Sequence, residues 1–128
     1  MGPVFRTAVV TAAWLLIQGL VGILLLGRKG RPYKAFIVVI HVFLFLPITA
    51  GWVFTVYGLS AVPGNHVGAW IAQIVMGLAV VSLLVVGSIL TAGKKVPAPS
   101  GLVLTHQIGA AAALAGSLAG IVCMLVGV

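Results

Sequence analysis

The 128-residue chain contains neither aspartate nor glutamate, and this absence argues against several classes of protein. A proton-driven carrier usually needs a carboxylate inside the membrane that binds and releases the proton. Small four-helix drug exporters depend on such a glutamate, so the composition disfavours that class. The sequence also argues against a hydrolase or a phosphoryl transferase, because it contains no carboxylate pair, no nucleophile paired with a base and no phosphate-binding loop.

Cysteine is almost absent too, since Cys123 is the single one. One cysteine cannot form an intrachain disulfide, and no cysteine cluster exists that would bind a metal ion. A lone cysteine late in an apolar segment is typical of a small core residue. The candidate ligands for a metal are therefore the three histidines.

Apolar sequence is what the chain has in excess. It is 62% hydrophobic, with a mean hydropathy of +1.34. Apolar runs of about 18 residues or more are typical of membrane-spanning helices, and four such runs occupy residues 8–26, 35–59, 67–92 and 101–126. We therefore predict an all-α integral membrane protein with a single transmembrane domain over residues 1–128. The short loops predict a four-helix bundle that runs up-down-up-down.

The seven Lys and Arg residues are distributed unevenly between the predicted loops. Loops 27–34 and 93–100 hold six of them, whereas the middle loop holds none. Because cytoplasmic loops carry an excess of positive charge, we predict that both termini lie outside and that these two loops are cytoplasmic. The same charges are better explained by membrane topology and anionic headgroups than by nucleic acid.

Aromatic residues and one proline add detail to the second and third spans. Trp52, Tyr57 and Trp70 fall towards the predicted outer ends, where an interfacial aromatic belt is expected. Pro47 lies inside the second span. Since proline removes one helix hydrogen bond, we expect a kink there.

Two histidines fall inside predicted spans at similar depths. His41 lies seven residues after Lys34, which is roughly 10 Å along a helix, and His106 lies about 8 Å along the fourth span. Two imidazoles at one depth on different helices suit a bis-histidine haem b, whose iron takes one nitrogen from each side. Two alternatives remain: contact with a quinone or other pigment, and a purely structural hydrogen bond between helices.

A strip of small residues runs along the fourth span from His106. Steps of three and four residues give Gly109 or Ala110, then Ala113, Ser117 and Gly120. Small side chains would let a flat porphyrin approach the helix, so Gly109 and Ala113 are candidate haem contacts. The alternative is close helix–helix packing without any cofactor, and Gly116 and Gly120 indeed form a GxxxG pattern.

Charged and polar residues supply further candidates. Four basic residues near the inner edge are candidate partners for haem propionates: Arg31, Lys34, Lys94 and Lys95. Gln18 and Gln73 are candidate contacts for a quinone carbonyl, although hydrogen bonding between helices is the more common use of such residues. His66, at the outer mouth of the third span, is either an interfacial histidine or a third quinone contact.

These segments together resemble the diheme transmembrane cytochrome b family. The resemblance covers residues 36–128 and is carried by HVFLFLPITAG at His41, HVGAWIAQIVMG at His66 and HQIG at His106. It implies a four-helix core with haem-ligating histidines near helix ends, often with a glycine a few residues on. That family has four ligands for two haems, whereas this chain offers one matched pair because the first span has no histidine. The resemblance therefore implies a minimal, one-haem anchor subunit.

The leading hypothesis is a membrane electron-transfer subunit. His41 and His106 would ligate the iron of one haem b between the second and fourth spans, and electrons would pass between a quinone and a partner subunit of a larger redox complex. Its expected location is a prokaryotic cytoplasmic membrane. The second hypothesis is a cofactor-free accessory subunit of a respiratory or photosynthetic complex, and the third is a small channel or transporter.

Overall fold

The described part of the chain forms five helices, which make four membrane-length spans. A computed structural model describes residues 1–26, 35–92 and 100–128. Its helices are α1 (Gly2–Leu26), α2 (Ala35–Phe43), α3 (Phe45–Ser60), α4 (Val67–Ala92) and α5 (Ser100–Val126), and these ranges contain no strand. The predicted all-α bundle is confirmed. The first helix begins six residues before the predicted span, and Pro3 is compatible with its first turn.

The second span is divided into α2 and α3 at Leu44. Pro47 has no N–H, so the carbonyl of Phe43, four residues earlier, receives no helix hydrogen bond from it. Leu44 itself keeps helical dihedral angles, with φ −64° and ψ −18°, and its N–H donates to the Ile40 carbonyl at 3.0 Å. The expected effect of Pro47 is thus seen as a local interruption of the helix at Leu44. The chain continues as one membrane-length span on either side of it.

The four spans are arranged as a closed ring. Each span packs on the next one along the chain, and α5 packs back on α1. The most extensive interface joins α4 to α5. Within the described ranges, close packing of backbones does not join α1 to α4, nor the second span to α5. The second and fourth spans therefore lie on one diagonal of the bundle, and the first and third on the other.

Small residues of α5 bring its backbone close to α4. A Cβ added at Gly116 would lie 3.1 Å from the Met76 nitrogen and 3.2 Å from the Ala72 carbonyl oxygen. A Cβ at Gly109 would lie 3.3 Å from the Leu83 side chain. Such contacts are typical of membrane helices whose backbones approach closely at small residues.

An indole anchors α3 to α4. The Trp52 Nε1–H donates to the Gln73 carbonyl at 3.0 Å, and the ring lies against Gly77, where a Cβ would be 2.5 Å from Cζ2. Trp52 is therefore half-buried between α3 and α4, because this helix phase gives its N–H an acceptor on α4. Its place in an aromatic belt stays a prediction. Tyr57 is exposed on the outside of the bundle, as an interfacial side chain would be.

The interior of the bundle is apolar in its central section. We call the following buried residues the central cluster: Leu15, Phe45, Ile48, Met76, Ala79, Val80, Leu83 and Ala113. The outside of the bundle also carries many exposed large apolar side chains, including Leu20, Leu78 and Leu125. All four spans are long and apolar enough to cross a bilayer, and a lipid-facing surface of this kind is what such a crossing requires.

Candidate cofactor site at the histidine pair

The imidazoles of His41 and His106 meet inside the bundle. Their ring centroids are 6.0 Å apart and their planes are inclined at 57°. Phe45, one helical turn after His41, lies edge-on to the His41 ring with centroids 6.3 Å apart. Both imidazoles are half-buried. The sequence predicted only a similar depth for these two histidines, and the structure shows that they meet, across the diagonal between α2 and α5.

Glycines on the other diagonal flank the two rings. A Cβ at Gly22 of α1 would lie 3.4 Å from His41 Cε1. A Cβ at Gly87 of α4 would lie 3.3 Å from His106 Cε1. This layer of the bundle, the histidine layer, thus consists of His41, His106, Gly22 and Gly87, one from each span.

The spacing of the rings fits a single metal atom between them. A metal lies about 2 Å from a histidine nitrogen, so two imidazoles on opposite sides of it have centroids about 6 Å apart. Within the described ranges the two ring-bearing helices make at most weak backbone contact, and each ring packs against a glycine of a flanking helix. The donor set, two imidazoles from different helices, is therefore that of a bis-histidine haem.

Several polar atoms around this layer lack partners. The Nδ1 atoms of His41 and His106 are buried and make no hydrogen bond within the described part of the chain. The same holds for both amide atoms of Gln18, a side chain only 6% exposed. Gln18 lies one helical turn before Gly22 on α1. Buried polar groups are normally satisfied, so this concentration of unpaired atoms marks a place where a bound group or a changed side-chain conformation would find partners.

The strip of small residues on α5 faces α4 instead of the histidine layer. Gly109 contacts Leu83 of α4, and Ala113 is 0% exposed within the central cluster. Close helix packing, the alternative for this strip, is observed at Gly109, and Ala113 packs in the central cluster. A contact of either residue with a cofactor stays a prediction.

The candidate quinone contacts do not form one site. Gln73 precedes Gly87 by fourteen residues on α4, so it lies roughly 21 Å along the helix from the histidine layer, whereas Gln18 lies about 6 Å from Gly22. Gln73 is 2% exposed, its Oε1 has no partner among the described residues, and its Nε2 sits over Gly120 of α5. It belongs to the α4–α5 interface.

His66 has a local role in the turn before α4. Its Nε2 bonds to the Pro63 carbonyl at 3.2 Å, and its own carbonyl accepts the Trp70 N–H at 2.9 Å. Gly64 allows this turn because its φ of +116° is unfavourable for other residues. These bonds favour the structural interpretation of His66 over a role at the histidine pair.

The candidate propionate partners lie outside the described residues. Arg31, Lys34, Lys94 and Lys95 all fall in residues 27–34 or 93–99. Their role therefore stays a prediction from the sequence.

Gly22 and Gly87 were not among the residues predicted from the sequence. Counting residues from the basic loops would have found them, because Gly22 lies six residues before Arg28 and Gly87 seven before Lys94. At about 1.5 Å per residue, both are at nearly the depth of His41. The sequence therefore contains the information that places these two glycines at the depth of the histidines.

Comparisons with known proteins add no family to this picture. Neither the protein-family models, nor the curated proteins, nor the solved structures compared with the chain match it. The resemblance to transmembrane cytochromes b therefore stays a prediction, and the geometry of the histidine pair carries the functional argument.

Proposed function

We propose that this protein is an electron-transfer subunit of a prokaryotic cytoplasmic membrane that holds one haem b between α2 and α5. His41 and His106 would be the axial ligands. The single observation that carries the proposal is the 6.0 Å separation of their ring centroids, across a diagonal where the backbones are not closely packed.

The chain's own residues have distinct roles in this proposal. His41 and His106 supply the two nitrogen ligands, and the Phe45 ring restricts the orientation of His41. Gly22 and Gly87 leave the flanks of the pair free of side chains. A bound haem would supply reversible one-electron chemistry at its iron.

The central cluster restricts access to the pair. Its apolar side chains, with Ile48 at 0% exposure, fill the section of the bundle next to the histidine layer. An apolar section of this kind would restrict the entry of water and argues against a continuous polar path for a solute. It therefore favours an electron carrier over the channel or transporter alternative.

The proposed reaction partners are a quinone and another redox subunit. A quinol releases two electrons, whereas one haem iron accepts one at a time. A second redox centre is consequently needed to complete the reaction, so the proposal includes a larger complex. The basic loops 27–34 and 93–100 would provide positive charge for the propionates on the cytoplasmic side.

A reduced-minus-oxidised visible spectrum tests this function. It is recorded first on the chain purified alone in detergent and then on the complex isolated from native membranes. The proposal predicts a sharp b-type α band, with one haem per chain by extraction. A flat spectrum from both preparations would contradict the proposal. A band in the complex alone would show that the partners are needed to retain the haem, provided that deleting this chain from the complex removes one haem.

A cofactor-free accessory subunit is the second candidate, and one observation favours it. Gly109 and Gly116 of α5 lie in close contact with α4, so these small residues have a packing role that needs no cofactor. Copurification with a large complex that lacks any chromophore assigned to this chain would support this alternative.

A further inference from the structure

Gln18 is a buried residue one helical turn from the histidine layer, and the proposed function gives it no role at the histidine pair. A glutamine that is 6% exposed inside a membrane bundle is costly unless its amide is hydrogen-bonded. Both of its amide atoms are nevertheless unpaired. The adjacent histidine layer also contains two histidine nitrogens without partners among the described residues. An N–H on either ring could donate a hydrogen bond to the amide oxygen of Gln18.

Gln18 lies one helical turn before Gly22, the residue of α1 against which the His41 ring packs. Side chains on a helix lean towards its N-terminus, so a side chain at position 22 would cover the turn that carries Gln18. Position 22 is glycine, and His41 Cε1 occupies this space, 3.4 Å from where a Cβ would be. Cε1 is the ring carbon between the two nitrogens, so His41 presents its nitrogen-bearing edge to this part of α1.

Ligand histidines have a recurrent second requirement. When one ring nitrogen binds a metal, the other usually donates its hydrogen to a carboxylate, a carbonyl or water, which fixes the tautomer and increases the basicity of the ligand. This chain has no carboxylate, and His41 Nδ1 has no acceptor among the described residues. An amide oxygen is the remaining strong side-chain acceptor, and Gln18 provides it on the helix that His41 touches.

We infer that Gln18 is a positioning residue for His41: its Oε1 accepts a hydrogen bond from the Nδ1–H when the Nε2 atom binds the haem iron. The inference rests on the proposed function. It requires a change of side-chain conformation within one helical turn and no movement of the backbone. The absence of a side chain at Gly22 leaves the turn between Gln18 and the ring open for this contact.

The test replaces Gln18 by a residue of similar length without an acceptor of comparable strength, Gln18→Met. The matched control is Gln107→Met, because Gln107 adjoins His106 in sequence but is exposed on the outside of the bundle. The readouts are the haem midpoint potential and the low-spin EPR spectrum of the oxidised form. Loss of the acceptor reduces electron donation by the imidazole to the iron, which favours the reduced state.

The expected result is a higher midpoint potential and an altered EPR g-spread for Gln18→Met, with haem affinity reduced about 10–100-fold. The Gln107→Met control should match the wild type. Unchanged potential and EPR in Gln18→Met would overturn the role of Gln18 and leave the haem assignment intact. Absence of haem from the wild-type chain and its complex would instead overturn the proposed function, and this inference with it.

A further variant resolves the case in which Gln18→Met retains no haem. Gln18→Glu keeps an acceptor oxygen at the same reach from α1. Recovery of haem binding in Gln18→Glu supports the hydrogen bond to His41, because it restores the acceptor without restoring the amide. If neither variant binds haem while both keep wild-type helicity and mobility in detergent, an acceptor at this position is not what binding requires, and the inference is wrong.

Discussion

His41 and His106 lie with their ring centroids 6.0 Å apart, although their helices occupy opposite corners of the bundle. Neighbouring helices in a bundle bring side chains together simply by packing. Diagonal helices do so only where long side chains reach inward and the flanking helices leave room. Here Gly22 and Gly87 leave that room, so the contact depends on all four spans.

The glycine at position 22 is predicted to be necessary for this contact. In Gly22→Ala the new Cβ would lie 3.4 Å from His41 Cε1, at the limit of ordinary van der Waals contact, so the methyl group would fill the remaining space beside the ring. We expect haem affinity to fall about 10–100-fold, as for other changes that disturb the orientation of a ligand histidine. Gly19→Ala is the control on the same helix, since nothing lies within 4 Å of its Cβ position. Haem titration of both variants checks this, and equal affinities would contradict the proposed role of Gly22.

A second substitution tests the α4–α5 interface without involving the histidines. In Gly116→Ala the new Cβ would lie 3.1 Å from the backbone nitrogen of Met76, and backbone cannot yield as a flexible side chain can. We expect a loss of about 1–3 kcal/mol in the free energy of unfolding. The measurement is unfolding by a denaturing detergent, followed by circular dichroism. Gly101→Ala, on the same helix with open space around it, should retain wild-type stability.

The indole of Trp52 is predicted to stabilise the α3–α4 contact. Trp52→Phe removes the donor to the Gln73 carbonyl and should cost about 0.5–1.5 kcal/mol for the hydrogen bond, plus a contribution from lost ring contacts. Tyr57→Phe serves as the comparison, because the Tyr57 ring is exposed on the outside. The same detergent unfolding assay applies. Equal stability of the two variants would show that Trp52 is only an interfacial residue.

The orientation of the chain is predicted from its loop charges, and a direct measurement tests it. Cys123 is the single cysteine, so Cys123→Ser gives a background without thiols. On this background Asn65→Cys, in the exposed turn between α3 and α4, should react with a membrane-impermeant maleimide added to intact cells. Reaction only after the cells are opened would reverse the predicted topology.

The depth of the histidines could be predicted from the sequence, whereas their surroundings could not. Residue counts from Lys34 and Gly101 placed His41 and His106 at similar heights, because helical rise is nearly constant. The rotation of each helix depends on packing against its neighbours, which hydropathy does not encode. For this reason the sequence could not show that the Gly109 position lies against Leu83 of α4 or that Ala113 belongs to the central cluster.

Trp52 shows the same division between what sequence can and cannot predict. Its place towards the end of a span suggested the membrane interface, and only the phase of α3 against α4 reveals that the indole meets Gly77 and the Gln73 carbonyl. Pro47 is the contrasting case. The loss of its N–H is a local chemical fact, so the interruption at Leu44 was predictable without knowledge of any neighbour.

The most direct test of the central claim is the haem content of three variants, each of which lacks one of the three histidines, measured side by side. His41→Ala and His106→Ala should each lose the b-type spectrum, because either one removes an axial ligand. His66→Ala should retain one haem per chain, since its Nε2 bonds locally to the Pro63 carbonyl. Full haem content in His41→Ala or in His106→Ala would contradict the assignment of this pair as the ligands.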